Sequence, residues 1–257
     1  MKLNKLVLVV SVFFLVLSCI NNNKNKIVYP YTKTVAQEDD YHGTIVKDPY
    51  RWLEDMDSEE VKDWIFEQQK LTESYIDQIP QIVEIENKLK ERWNYPRMSL
   101  PFHRNNRYFF YKNSGLQNHS VLYYKDGLNG EEKILLDPNI LSEDGSLSIS
   151  MVSVSKDGKL LAYGVSKSGS DWDEYFVKDI DTGENFTDHL KWIKFSKAYW
   201  LPDGSGFFYS RYPEPLEGDE FKNQNQFNKL YLHRIGTEQS KDSLIYEDSS
   251  NPDYGFY

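Results

Sequence analysis

Residues 154–184 read VSKDGKLLAYGVSKSGSDWDEYFVKDIDTGE. Two short apolar runs, 159–166 and 174–180, flank a polar loop and are bounded by turn signals. Asp157-Gly158 suits a tight turn because glycine accepts positive φ, and Asp181-Thr182-Gly183-Glu184 closes the far end. The stretch therefore predicts antiparallel strands of about five to eight residues. The pattern recurs on both sides. RYFFYKN (107–113) and SVLYYKD (120–126) precede it, and GFFYSRY (206–212) and KLYLHRI (229–235) follow. A second turn, Pro202-Asp203-Gly204-Ser205, repeats the first after an interval of 40–50 residues, the period of a four-stranded propeller blade. Spacing alone leaves other antiparallel meanders open, a sandwich among them. Residues 103–250 hold strands for about three blades, fewer than the four to eight of a closed ring.

Composition agrees with a mainly β chain. Among 257 residues there are 19 Tyr, 14 Phe and 6 Trp, and aromatics favour pleated, half-buried surfaces. Helices are expected only ahead of the strands. Asp57 with Glu60 reads as an N-cap and its carboxylate partner. Val61, Trp64, Ile65, Gln68, Leu71 and Tyr75 share one helical face. Pro80 is placed to open a second helix, with Ile82, Ile85, Leu89 and Trp93 on its apolar side. The expected helices span 58–77 and 80–93.

Residues 1–19, MKLNKLVLVVSVFFLVLSC, join a basic start to an apolar run of signal-peptide length, short for a membrane span. A small residue before Cys19 resembles a bacterial lipobox, which makes Cys19 the expected lipid-bearing residue. It is the only cysteine, so the chain forms no internal disulfide. NNNKNK (21–26) reads as a tether. The expectation is an exported lipoprotein, periplasmic or on the cell envelope, anchored to a membrane through Cys19. The net charge is −10, and loss of Lys2 and Lys5 with the leader makes it −12. Such an acidic surface repels phosphate backbones, so no nucleic-acid partner is expected.

Motifs for chemistry are sparse. Gly-x-Ser-x-Gly is missing, and Gly164-Val165-Ser166-Lys167-Ser168 lacks the second glycine. There is no His-Glu-x-x-His and no glycine-rich phosphate loop, so neither metal nor cofactor is expected. His42, His103, His119, His189 and His233 show no paired spacing and read as surface or turn residues. Asp48, Glu54 and Asp55 lie in DPYRWLED (48–55), where Arg51 and Trp52 suggest a salt-bridged, aromatic-anchored loop rather than an acid–base pair. In SGSDWDEYFVKD (168–179), Ser168 to Asp171 are expected to cap a loop that Trp172 anchors.

Longer strings carry more. DDYHGTIVKDPYRWLEDMDSEEVKDWIFEQQKLT (39–72) closely resembles the N-terminal segment of prolyl oligopeptidases. Residues 154–184 resemble that family's second blade, and KFSKAYWLPDGSGFFYSRYPEP (194–215) its third. The resemblance runs in order over 28–257. It implies a seven-bladed propeller joined to an α/β-hydrolase domain, on which the N-terminal segment packs. It implies a serine endopeptidase acting after proline on short peptides, with Ser, Asp and His in the C-terminal part. The expected divisions are a signal peptide (1–19), a tether (20–28), a helical segment of the peptidase domain (29–100) and a partial propeller (101–257). The fold expected is an incomplete propeller of about three blades whose hydrolase partner is absent from this chain. No catalytic residue is then assigned within the chain, and the chain alone is expected to be inactive. The family's third blade lends a phenylalanine to the substrate cavity; the string KFS matches it to Phe195, and NPDYGF adds Gly255 and Phe256. The alternatives are a non-catalytic propeller lipoprotein that binds peptides or a protein partner, and a pseudo-enzyme. Without the hydrolase part, Tyr50 and Trp52 are expected to be exposed and badly packed. Substitution of Cys19 by Ser is expected to abolish labelling by a fatty-acid analogue in cells, and undiminished labelling would refute the anchor.

Overall fold

A computed structural model describes residues 27–142, 145–216, 218–220 and 224–257. The leader, Cys19 and nearly all of the tether lie outside the described residues. One compact unit ends at Lys88 and the other spans Leu89–Tyr257.

The first unit opens with a hairpin that the sequence reading missed. Strands β1 (Glu38–Tyr41) and β2 (Thr44–Lys47) pair antiparallel across the two-residue loop His42-Gly43. Both loop residues are left-handed, at φ 56° and 91°, as a type I′ turn requires. His is an uncommon first residue for such a turn, so the signal was faint. Helix α1 (Glu59–Ile76) follows, then α2 (Ile82–Trp93). The cap of α1 is Ser58, not Asp57: the Ser58 hydroxyl accepts from Val61 N at 3.3 Å. Pro80 sits in the turn two residues ahead of α2 rather than inside it.

The stretch 48–55 is held by one cation. Arg51 donates to Asp48 at 2.7 Å and pairs with Asp39, and Glu54 lies 3.5 Å away. The hydrogen bond from Arg51 holds the Asp48 carboxyl below its usual range. Tyr50 is exposed as expected, but Trp52 is not badly packed. Its indole donates to Lys33 O at 2.9 Å and meets Trp64 edge-on, with centroids 6.5 Å apart. The segment's own chain supplies these partners, which the sequence reading assigned to a missing domain.

The second unit is three antiparallel sheets. In the first, β5 (Arg107–Asn113), β6 (Val121–Asp126) and β7 (Lys133–Leu136) run in order. The short strands β3 (Arg97–Met98) and β4 (Phe102–Arg104) share the free side of β5. The second sheet is the meander β8 (Leu147–Val154), β9 (Leu160–Lys167), β10 (Asp173–Asp179), β11 (Asn185–Ile193). The third is β12 (Tyr199–Trp200), β13 (Gly206–Arg211), β14 (Lys229–Arg234), β15 (Ser243–Tyr246). The six strands read from aromatic runs all form within a residue or two of their expected bounds. Those missed include LSISMVSV, which has no aromatic and three Ser, and NFTDHLKWI, where Asp188 and Lys191 break the apolar pattern.

Packing explains the order. Phe109, Leu122 and Tyr124 of the first sheet form one core with Leu161 and Tyr163 of the second. Ala162, Tyr175, Val177 and Leu190 of the second form another with Phe207 and Tyr209 of the third. Consecutive residues of β9 thus serve opposite cores, as a pleated strand buried on both faces must. Arg107 closes the first seam: it donates to Asp126 and to Gly158 O, both at 2.8 Å, and pairs with Asp181. This stacked, four-stranded arrangement is that of adjacent propeller blades. The outer faces are open. Ile134 on the first sheet and Tyr199, Leu244 and Tyr246 on the third are exposed. Residues 20–257 alone are therefore expected to associate and to lack a single cooperative melting transition. A monomeric, concentration-independent transition in calorimetry would count against this.

Candidate functional site

The end of β11 and the residues after it carry an unusual run. Trp192 and Phe195 both adopt left-handed backbone, at φ 63° and 56°. This region is costly for residues with a bulky side chain. The turn survives because its neighbours fix it. Tyr212 N donates to Trp192 O at 3.0 Å. Tyr175 donates to Ser196 O at 2.6 Å, and Ser210 N to the Ser196 hydroxyl at 2.9 Å. The result buries Lys194 and Ser196 and turns Phe195 outward, where it is 52% exposed.

Phe195 lies in a cluster of rings. Its centroid lies 6.4 Å from that of Tyr257, edge-on. Burial first, and the neighbouring Tyr257 phenol second, push the Tyr212 phenol up to about 12. Tyr212 meets Trp172 at 6.3 Å, and Trp172 meets Trp192 at 5.6 Å, both nearly perpendicular. Trp172 is the anchor that the sequence suggested. Its indole donates to Glu220 O at 2.7 Å, and its amide to the Ser170 hydroxyl at 3.0 Å. The Lys194 ammonium sits 3.8 Å from the centre of the Trp172 ring and donates to Asn225 Oδ1 at 2.8 Å. Among the described residues no carboxylate lies within salt-bridge distance of it. Burial accordingly pulls the Lys194 pKa down, with Asp171 opposing weakly. A cavity of about 340 Å³ opens beside these groups, lined in part by Trp172, Tyr212, Asn225 and Phe227.

The other two residues singled out from the sequence fall on the adjoining side of Tyr257. Phe256 N donates to Asn228 Oδ1 at 3.0 Å, and its ring meets Tyr246 edge-on at 5.2 Å. Phe256 and Tyr257 line a cavity of about 610 Å³ with Tyr199, Phe208 and Leu230 on the open face of the third sheet. The Tyr257 ring lies across Gly255: a Cβ there would come within 2.2 Å of the Tyr257 hydroxyl, so that exposed side chain would have to swing aside. Tyr257 lines the larger cavity only, and Phe195 lines neither of the two. The sequence reading missed Tyr212, Tyr257 and Lys194, which only the folded chain gathers. The lone lysine before an aromatic in KFS was the one available hint.

The comparisons with known proteins cover the same ground. Residues 29–257 match the family described as prolyl oligopeptidase, N-terminal beta-propeller domain. The chain belongs to the prolyl oligopeptidase family. The prolyl endopeptidase of Elizabethkingia meningoseptica is 44% identical over 246 residues, covering 95% of this chain and 34% of that protein. Prolyl oligopeptidase A of Amanita bisporigera is 36% identical over 238 residues, 82% of this chain and 31% of that protein. A solved prolyl endopeptidase superposes with a TM-score of 0.78 at 32% identity, over 86% of this chain and 33% of the other. Prolyl oligopeptidase B of Galerina marginata, bound to a 35-residue substrate, gives 0.73 at 30%, over 88% and 35%. The chain thus spans about a third of the length of the relatives it matches.

Ring faces, one desolvated cation and amide groups suit contact with an apolar ligand; a phenol held near 12 stays neutral, and among the described residues of this cluster no nucleophile is paired with a base. The buried Lys194 charge costs stability, since its partners are neutral. A folded-state lysine pKa below the unfolded value means that stability rises as pH climbs toward 10.5. Lys194→Met, in the protein carrying this chain, is therefore expected to melt no lower than wild type near neutral pH. Its advantage should shrink as pH nears 10.5. A large loss of melting temperature at pH 7 would refute that account.

Proposed function

We propose that this chain is the propeller-bearing N-terminal part of an exported, lipid-anchored prolyl oligopeptidase that cleaves short peptides after proline. The Ser, Asp and His that cut the peptide then come from sequence C-terminal to Tyr257. The present chain contributes a wall of the substrate cavity and the propeller that limits access to it. The clustered rings of Phe195 with Tyr257 and of Tyr212 with Trp172 carry this reading. Flat, rigid rings give apolar contact area at low entropic cost, and they suit proline and other apolar side chains of a peptide. Phe195 is the leading contact because its ring is exposed; Phe256 lines the second cavity with Tyr257, and Gly255 precedes it as a weaker candidate. The family membership and the fractional coverage of longer relatives support the same reading. The leader and Cys19 support export to the cell envelope.

Two measurements test it. The DNA beyond codon 257 should continue in frame into a nucleophile-elbow sequence; a stop followed by unrelated sequence would instead favour a non-catalytic, peptide-binding propeller lipoprotein. In the full-length protein, Phe195→Ala is expected to lower kcat/KM on a Gly-Pro reporter peptide roughly tenfold, equivalent to about 1.4 kcal/mol. The loss should fall on KM, because the ring binds and does not react. Unchanged KM would remove Phe195 from the cavity.

A further inference from the structure

The second seam of the propeller contains charge that the binding site does not use. His233, on β14, was read from sequence as a surface or turn residue, but its side chain is 0% exposed. Asp188, on β11 of the second sheet, and Asp242, just ahead of β15 of the third, are as deeply buried. The His233 ring lies between them: Nε2 is 2.8 Å from Asp188 Oδ1, and Nδ1 is 2.7 Å from Asp242 Oδ1.

Each ring nitrogen faces a carboxylate oxygen, which can only accept when ionised. A neutral imidazole has one N–H and would set a lone pair against one of the two carboxylates. Only the imidazolium satisfies both sides. The remaining partners favour this state. Gly236 N donates to Asp188 Oδ1 at 2.8 Å, and the Tyr209 hydroxyl, from β13, donates to Asp242 Oδ2 at 2.6 Å. Burial raises the Tyr209 phenol, so it remains a neutral donor. Gln239 donates to that hydroxyl and also exchanges two 3.0 Å bonds with the backbone of Lys191 on β11. Arg211 acts on Tyr209 only through space. Asp188 Oδ2 has no hydrogen-bond partner among the described residues. The cluster therefore carries excess negative charge, and among the described residues the proton on His233 is the cation within it that offsets this charge.

We propose that Asp188, His233 and Asp242 form an ionic clasp that closes the seam between the second and third sheets while the imidazole holds both protons, and loosens that seam when it gives one up. The clasp is a pH-sensitive device of the propeller itself, separate from the Phe195–Trp172 surface. Its working range follows from the balance of forces. Burial alone would lower the His233 pKa, but hydrogen bonds to Asp188 and Asp242 outweigh it and raise the value to about 9 from 6.5. A histidine pKa raised on folding adds stability that is whole below pH 6.5 and is lost as pH climbs through about 9. The seam is then locked at neutral pH and releases on the alkaline side.

Two readouts on the full-length protein test the clasp. With ¹⁵N-labelled histidine, one ring should keep both nitrogens protonated at pH 8 and lose a proton near pH 9; every ring neutral at pH 8 would overturn the proposal. Hydrogen exchange, corrected for intrinsic rates, should speed up at least tenfold in 185–193 and 229–246 between pH 7 and pH 10, but not in β5 and β6. An equal response in all three sheets would overturn the seam-opening step. His233→Gln should abolish the selective response. Should that variant fail to fold, Asp188→Asn keeps the imidazole and should shift its titration downward; an unmoved titration would equally sink the clasp.

Discussion

The middle sheet is buried on both faces, and the rest of the second unit depends on that constraint. In β9 the residues Leu161, Ala162 and Tyr163 enter alternate cores. A slip of one position would exchange the large pair for the small residue on both sides at once, so the register has no near competitor. Gly164 belongs to the same constraint: a Cβ there would lie 2.9 Å from the Tyr175 ring and 2.6 Å from the Ser150 hydroxyl. The missing side chain lets Tyr175 cross the strand and reach Ser196, which sets the turn presenting Phe195. The exposed Phe195 ring is thus positioned from the middle sheet outward.

Legibility in the sequence followed the strength of local pattern. Strands with paired aromatics, such as RYFFYKN and SVLYYKD, announced themselves, because Phe110 and Tyr123 or Phe109 and Tyr124 need each other across a single hairpin. Strand β11 did not, since Asp188 occupies an inward position of NFTDHLKWI and only a histidine 45 residues away explains it. The helices were read to within a turn, yet their caps were not, because Asp57 and Ser58 are both good caps and backbone geometry decides between them. Of the ring cluster, two members were singled out from strings, Phe195 as a cavity residue by resemblance and Trp172 as a loop anchor. Tyr212, Lys194 and Tyr257 were not, because the chain brings them together only after two blades have stacked.

The two seams are built from different chemistry. Arg107 closes the first with a guanidinium that remains 16% exposed and keeps its charge at any ordinary pH. His233 closes the second with a group that can change its charge, and does so in full burial. Adjacent joints of one propeller can therefore differ in how they respond to their surroundings while sharing a strand pattern.

The left-handed backbone at Trp192 and Phe195 bears on how this sequence drifts over time. At such positions Gly or Asn relieves conformational cost, so the substitutions that selection for stability would favour are those that remove the rings. Holding Trp and Phe there requires a countervailing pressure at every generation. Where a descendant of this chain no longer needs these rings presented, these two codons are among the first expected to decay, ahead of any residue in the two cores.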